Sequence, residues 1–175
     1  AYFVAGPHDE ASAALARVMI ERELLGQSWC FGADGAKSTA HSVEEAIEAL
    51  VVSGNFDTSR PSGLGDFLTQ AEKKGFAVCL VFVPPQPGQW NESAAKIISQ
   101  SRLKIHVYAA TDTTGAAPTP HSRLRHLFFQ TPQKHLITRG DMLAMAQLFQ
   151  RSPVTVVNKT TGRVLGDPRH WPESP

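Results

Sequence analysis

Gly6 and Pro7 stop a short apolar run, Tyr2-Phe3-Val4-Ala5, and apolar residues at helical spacing follow, among them Leu15, Val18, Met19 and Leu25. Strand, tight turn and helix together make a place where an anion can sit. The first N–H groups of a helix lack intrahelical partners, and the helix dipole favours negative charge beside them. Holding a nucleoside triphosphate needs more: glycines that let the backbone approach, a lysine that neutralises phosphate, and a Ser/Thr hydroxyl for magnesium. Here the turn continues His8-Asp9-Glu10-Ala11-Ser12-Ala13-Ala14. It has no lysine and no second glycine. Asp9 and Glu10 suit a helix N-terminus but repel phosphate. Gly6, Pro7, His8, Asp9, Glu10 and Ser12 are therefore read as a degenerate phosphate loop.

A second stretch, Gly32-Ala33-Asp34-Gly35-Ala36-Lys37-Ser38-Thr39, carries the Lys-Ser-Thr that the first lacks. It misses the glycine before the lysine and the four-residue spacing between its glycines. Lys37 is a candidate phosphate ligand there, against a solvated loop leading into the next helix. Asp57, in Asp57-Thr58-Ser59, is a candidate acid, against an ordinary turn in which Asp, Thr and Ser are common. The seven histidines are scattered, and His121 and His126 stand five apart, which does not place both on one helical face, so no metal site is expected. No Gly-x-Ser-x-Gly turn supports a serine nucleophile. Arg139-Gly140-Asp141 reads as a helix start, with Asp141 as its N-cap.

The elements that must position these residues alternate. Ala11–Leu25 is expected to be a helix, and a short apolar run, Trp29 to Phe31, precedes the glycine-rich stretch. Ser42, with Glu45 three residues on, forms a capping box that opens a helix through Leu50 and Val51. Pro61 suits the entry to another helix, which runs through Leu64, Phe67, Leu68 and Ala71 to Lys73-Lys74-Gly75. Phe76 to Val83 is continuously apolar, the mark of a strand covered on both faces. A helix over 89–102, a strand over 103–109 with Ile105 and Val107 inward, and a Thr/Pro-rich loop over 111–120 follow. A helix over 141–150 and a hairpin, 154–157 with 163–165, close the pattern. Alternating strands and helices predict an α/β domain, three layers with a largely parallel sheet flanked by helices. Residues 1–166 are read as a single domain and 167–175, with three prolines, as an irregular tail.

At 175 residues and 42% hydrophobic composition the chain can bury one sizeable core. Cys30 and Cys79 each lie in an apolar run and are read as buried and reduced, which favours a cytoplasmic setting. The longest apolar stretches are far short of the roughly 20 residues needed to span a bilayer. The net charge of +1 hides an asymmetry: residues 1–100 carry seven Lys/Arg and twelve Asp/Glu, and residues 101–175 carry ten and four. A basic second half can attract phosphate, nucleic acid or an acidic protein face, or simply neutralise the first half. The run His121 to Phe129, with Arg123 and Arg125, mixes bases with aromatics in the same way.

Taken in order, these segments resemble the zeta-toxin-type P-loop kinases. Tyr2 to Pro7 is similar to the family's first strand and turn, Gly54-Asn55-Phe56-Asp57-Thr58-Ser59 to its "glycine, acidic, Phe, Glu, Thr, Thr" strand, and Gly75 to Val83 to its "Ala-Gly-Tyr-x-Val-x-Leu-Val-Phe" strand. The closing helix and Val154-Thr155-Val156-Val157-Asn158 also resemble the family's. In that register both later glycines of the family's loop are lost and Ser12 stands in place of the lysine. The resemblance implies a P-loop-kinase-like fold, with Asp57 where the family has an acid that engages a sugar-type acceptor. Arg102, Lys104, Arg123 and Arg125 are then remnants of basic lid residues or partner-binding candidates.

Three functions follow as expectations. The first is a catalytically inactive relative, without cofactor, that binds another protein as a regulator or inhibitor and is encoded on a mobile element such as a plasmid. The second is an ATP-dependent sugar-nucleotide kinase with an atypical phosphate site. The third is a nucleic-acid-binding protein using the basic half.

Overall fold

The computed structural model describes residues 1–111 and 137–172. Its six strands are β1 (Tyr2–Phe3), β2 (Gly32–Ala33), β3 (Val78–Phe82), β4 (Lys104–Thr111), β5 (Val154–Asn158) and β6 (Val164–Gly166), in one sheet of order β2-β1-β3-β4-β5-β6. All neighbours are parallel except β5 and β6, which form the expected hairpin. Among the described residues the helices are α1 (Glu10–Glu21), α2 (Val43–Ser53), α3 (Leu64–Lys73), α4 (Trp90–Gln100) and α5 (Arg139–Leu148), with a 3-10 turn at Pro168–His170. The chain is thus α/β with a largely parallel sheet.

The period-2 geometry of the strands sorts the core into two layers. On one face Tyr2, Val4, Val81, Ile105, Val107 and Val156 pack with α3, α4 and α5. On the other, Phe3, Ala5, Phe82 and Ala33 pack with α1 and α2. Successive residues of one strand enter opposite cores, which is why the β3 segment reads as uninterrupted apolar sequence. Cys30 and Cys79 are both buried and free.

Several boundaries differ from expectation, each for a local reason. α1 ends at Glu21 rather than at residue 25, because Glu23 takes a left-handed φ of 55° and Gly26 one of 97°. Residues 54–59 form turns instead of a strand. The N–H groups of Gly54, Asn55 and Phe56 bond back to the carbonyls of Val51, Val52 and Ser53. β1 already has a neighbour on each side, so the sheet leaves no place for another strand beside it. The second strand falls on the glycine-rich stretch, where Gly32 lets Tyr2 and Phe67 close in: a Cβ there would lie 2.7 Å from the Phe67 ring and 2.8 Å from Tyr2.

The N-cap of α5 is Thr138, not Asp141; Asp141 serves as the third residue of a capping box with it. The segment from Asp167 is not irregular as expected. Asp167 caps the 3-10 turn, Arg169 donates to the Phe149 and Ser152 carbonyls at 3.2 and 3.0 Å, and Trp171 Nε1 donates to Leu165 O at 2.7 Å. Burial pushes the Asp167 carboxyl up, but the Arg169 guanidinium and the backbone N–H groups outweigh it and hold it below its ordinary value. The expected loop beyond Thr111 and the run His121 to Phe129 lie outside the described residues.

Candidate functional site

In an open α/β sheet, ligands bind beyond the carboxyl ends of the strands, where the strand order reverses. That reversal falls here between β1 and β3: the chain leaves β1 toward β2 and later returns across β1 to β3. The helices that follow β1 and β3, α1 and α4, lie on opposite faces. The turn from β1 to α1 therefore stands at the expected place for a site, and its side chains fill that place.

Asp9 turns its carboxylate onto the turn itself, where Oδ2 accepts from the Gly6 N–H at 2.9 Å. It makes no side-chain bond to the N-terminus of α1. Burial raises the Asp9 carboxyl above its ordinary value, with the neighbouring Glu10 adding to the rise and the Gly6 N–H opposing it. His8, just before it, has a left-handed φ of 59°. Gly6 is pressed from the β3 side, since a Cβ there would lie 2.7 Å from Pro84 Cγ and 3.0 Å from Trp90 Cδ1. Pro7 is exposed and Glu10 begins α1. Ser12 does not face a cradle at all. It is fully buried, donating to Val83 O at 2.7 Å and accepting from Ala110 N–H at 2.9 Å, so it ties α1 to the ends of β3 and β4.

Beside this turn stands a buried acid that belongs to no phosphate-binding motif. Asp34, at the end of β2, is buried and accepts four hydrogen bonds. Oδ1 takes the Tyr2 hydroxyl at 2.8 Å, the Ser62 hydroxyl at 2.7 Å and the Gly63 N–H at 3.0 Å; Oδ2 takes the Ala5 N–H at 3.0 Å. Burial, with the Asp34 carboxylate next in importance, pushes the Tyr2 phenol far above its ordinary range. A carboxylate so supplied with donors is the form that buried acids take when they fix a structure. The sequence signal was its place directly after a strand, obscured by the glycines around it.

On the far side of Asp34 a groove of about 500 Å³ opens between the 35–41 loop and α3. It holds Lys37, Ser38, Thr39, His41, Asp66 and Lys74 in its lining, so Lys37 does face a concave surface, though away from the β1–α1 turn. Asp57 is not in that lining. It is exposed and closes a local turn, with Oδ1 accepting from the Ser59 N–H at 3.0 Å and hydroxyl at 2.7 Å, and the Ser59 hydroxyl leads in holding it below its ordinary value.

Arg102 and Lys104 sit at the amino end of β4. The β1–α1 turn sits beyond the carboxyl ends of the parallel strands, so the fold places these two bases at the opposite end of the sheet. The backbone N–H of Arg102 donates to Glu72 Oε1 at 2.8 Å. Arg123 and Arg125 lie outside the described residues. Among the described residues no group of three or more His, Cys, Asp or Glu is placed to hold a metal, and no helix is long and apolar enough to cross a membrane. Compared with models of known families, with curated proteins and with solved structures, the chain gives no significant match.

Proposed function

We propose that this chain is a non-catalytic relative of the zeta-toxin-type P-loop kinases that works by binding another protein, as a regulator or inhibitor. The observation that carries the reading is the Asp9 carboxylate on the Gly6 N–H at 2.9 Å, an internal anion where a kinase would receive phosphate. Trp90 and Pro84 against Gly6, and Ser12 buried where the resemblance puts a lysine, support it further. The kinase reading needs Lys37 or a lid arginine in place of the missing lysine, with Asp57 as base or acceptor anchor; Asp57 is absent from the groove lining that includes Lys37, which counts against the Lys37 form of it. Calorimetric titration with ATP and magnesium tests the proposal. No heat of binding is expected, and micromolar affinity together with amide shifts at Gly6 to Ser12 overturns it.

A further inference from the structure

We propose that the groove between the 35–41 loop and α3 is a binding site for a small hydroxylated compound carrying one phosphate group. This goes beyond the protein-binding reading and does not depend on it. The groove is built by the fold. Gly35, with φ of 83°, reverses the chain at the end of β2, and Ala40 returns to pair with Phe31, so residues 35–39 stand as a wall beside the sheet. The opposite wall is one face of α3, where Asp66, Gln70 and Lys74 follow at four-residue spacing. At 1.5 Å rise per residue the walls run side by side for about 12 Å.

The chemistry is graded along that length. Lys74, just past the end of α3, brings its Nζ to 3.5 Å from His41 Nε2. Lys37 lines the same groove from the loop, so among the described residues three nitrogen bases line it against one carboxylate, Asp66. Phosphate suits the basic end, where cations supply charge-assisted hydrogen bonds. Asp66, eight residues back along α3, is an acceptor for hydroxyls, and Gln70 between them both donates and accepts. A volume of about 500 Å³ lies within the range of small-molecule sites. The floor is fixed: the rings of Tyr2 and Phe67 lie 5.0 Å apart, and the Tyr2 hydroxyl is held by Asp34.

The test is a two-dimensional amide NMR titration of the folded chain with glucose 6-phosphate, inorganic phosphate and glucose as probes. Saturable shifts confined to residues 35–41 and 63–74 are expected, with glucose 6-phosphate binding at least tenfold more tightly than either fragment. Lys37→Gln combined with Lys74→Gln, both exposed positions, should weaken it at least tenfold while leaving the rest of the spectrum unchanged. Asp66→Asn should erode the preference for glucose 6-phosphate over inorganic phosphate. Absence of shifts, shifts spread over other lysines, or a double variant that binds equally well overturns the proposal. So does an acidic decapeptide that displaces the sugar phosphate at lower concentration, since the groove would then belong to a protein segment. Shifts at Gly6 to Ser12 on adding ATP bear on the protein-binding proposal alone, so the two can fail separately.

Discussion

The β1–α1 turn and the groove beside α3 lie on either side of one buried carboxylate, and they are opposites. The turn has the backbone of an anion site but is filled by its own acid, Asp9, and closed by Trp90, Pro84 and Ser12. The groove follows no recognised motif, yet it is open and lined by Lys37, His41 and Lys74. Asp34 joins them, holding Ala5 of the turn with one oxygen and, with the other, Ser62 together with Tyr2 and Gly63 of the groove lining. The contrast teaches that a motif's outline and its capacity can part company. A strand-to-helix turn is open to an outside anion only while no internal carboxylate takes its N–H groups, as Asp9 takes that of Gly6.

The comparison can be broken most severely at Ser12. Restoring the lysine that the resemblance calls for, Ser12→Lys, places a charged amine at a fully buried position between β3 and β4. A loss of more than about 5 kcal/mol is expected, leaving no cooperative unfolding transition in urea. A folded, ATP-binding Ser12→Lys protein would mean that the turn is not sealed.

Next in size is the shared wall. Asp34→Ala deprives several buried donors of their acceptor at once, and a loss of about 3–5 kcal/mol is expected from urea denaturation. A loss near zero would separate the two regions energetically.

The Asp9→Asn change sharpens the comparison through pH. Asn keeps an acceptor for the Gly6 N–H and removes a desolvated charge, so at neutral pH the variant should match or exceed the wild type by up to about 1 kcal/mol. A raised carboxyl pKa means that the folded state takes up its proton first. That stability increment is fully present below the ordinary value of 3.8 and is lost as pH rises through the folded value. The variant's advantage should therefore shrink on acidification. Asp57, Glu72 and Asp167, held below their ordinary values, contribute with the opposite sign, but equally in both proteins, and cancel in the difference. An advantage that grows toward acid pH would contradict the burial of Asp9.

The smallest effect belongs to the groove wall. Lys37 is exposed, so Lys37→Ala should change the unfolding free energy from urea denaturation by less than about 0.5 kcal/mol. A larger loss would make Lys37 a structural residue.

Much of this architecture is legible in the chain because it depends on neighbours in sequence. Ser42 caps α2, accepting from the Glu45 N–H at 3.2 Å, while the Glu45 carboxylate accepts from the His41 N–H at 2.8 Å. The continuous apolar run at β3 and the β5–β6 hairpin also follow from local pattern. The loss of the lysine and glycines from the first turn is likewise written in the residues. What local pattern does not supply is the company that distant residues keep. Phe56 and Asp57 read as strand by resemblance, yet both sides of β1 are taken by β2 and β3, and the segment has no partner to pair with.

Ser12, Asp34 and Lys37 divide the matter most clearly. Sequence alone determined that Ser12 is no lysine and that Lys37 lacks its glycine. Tertiary structure decided that Ser12 bridges Val83 and Ala110, seventy-one and ninety-eight residues away, that Asp34 gathers donors from two distant segments, and that Lys37 lines a groove. The reason is physical. A buried polar atom is satisfied by whatever the folded chain brings within about 3 Å, and that set is fixed by how strands and helices stack, not by the residues on either side.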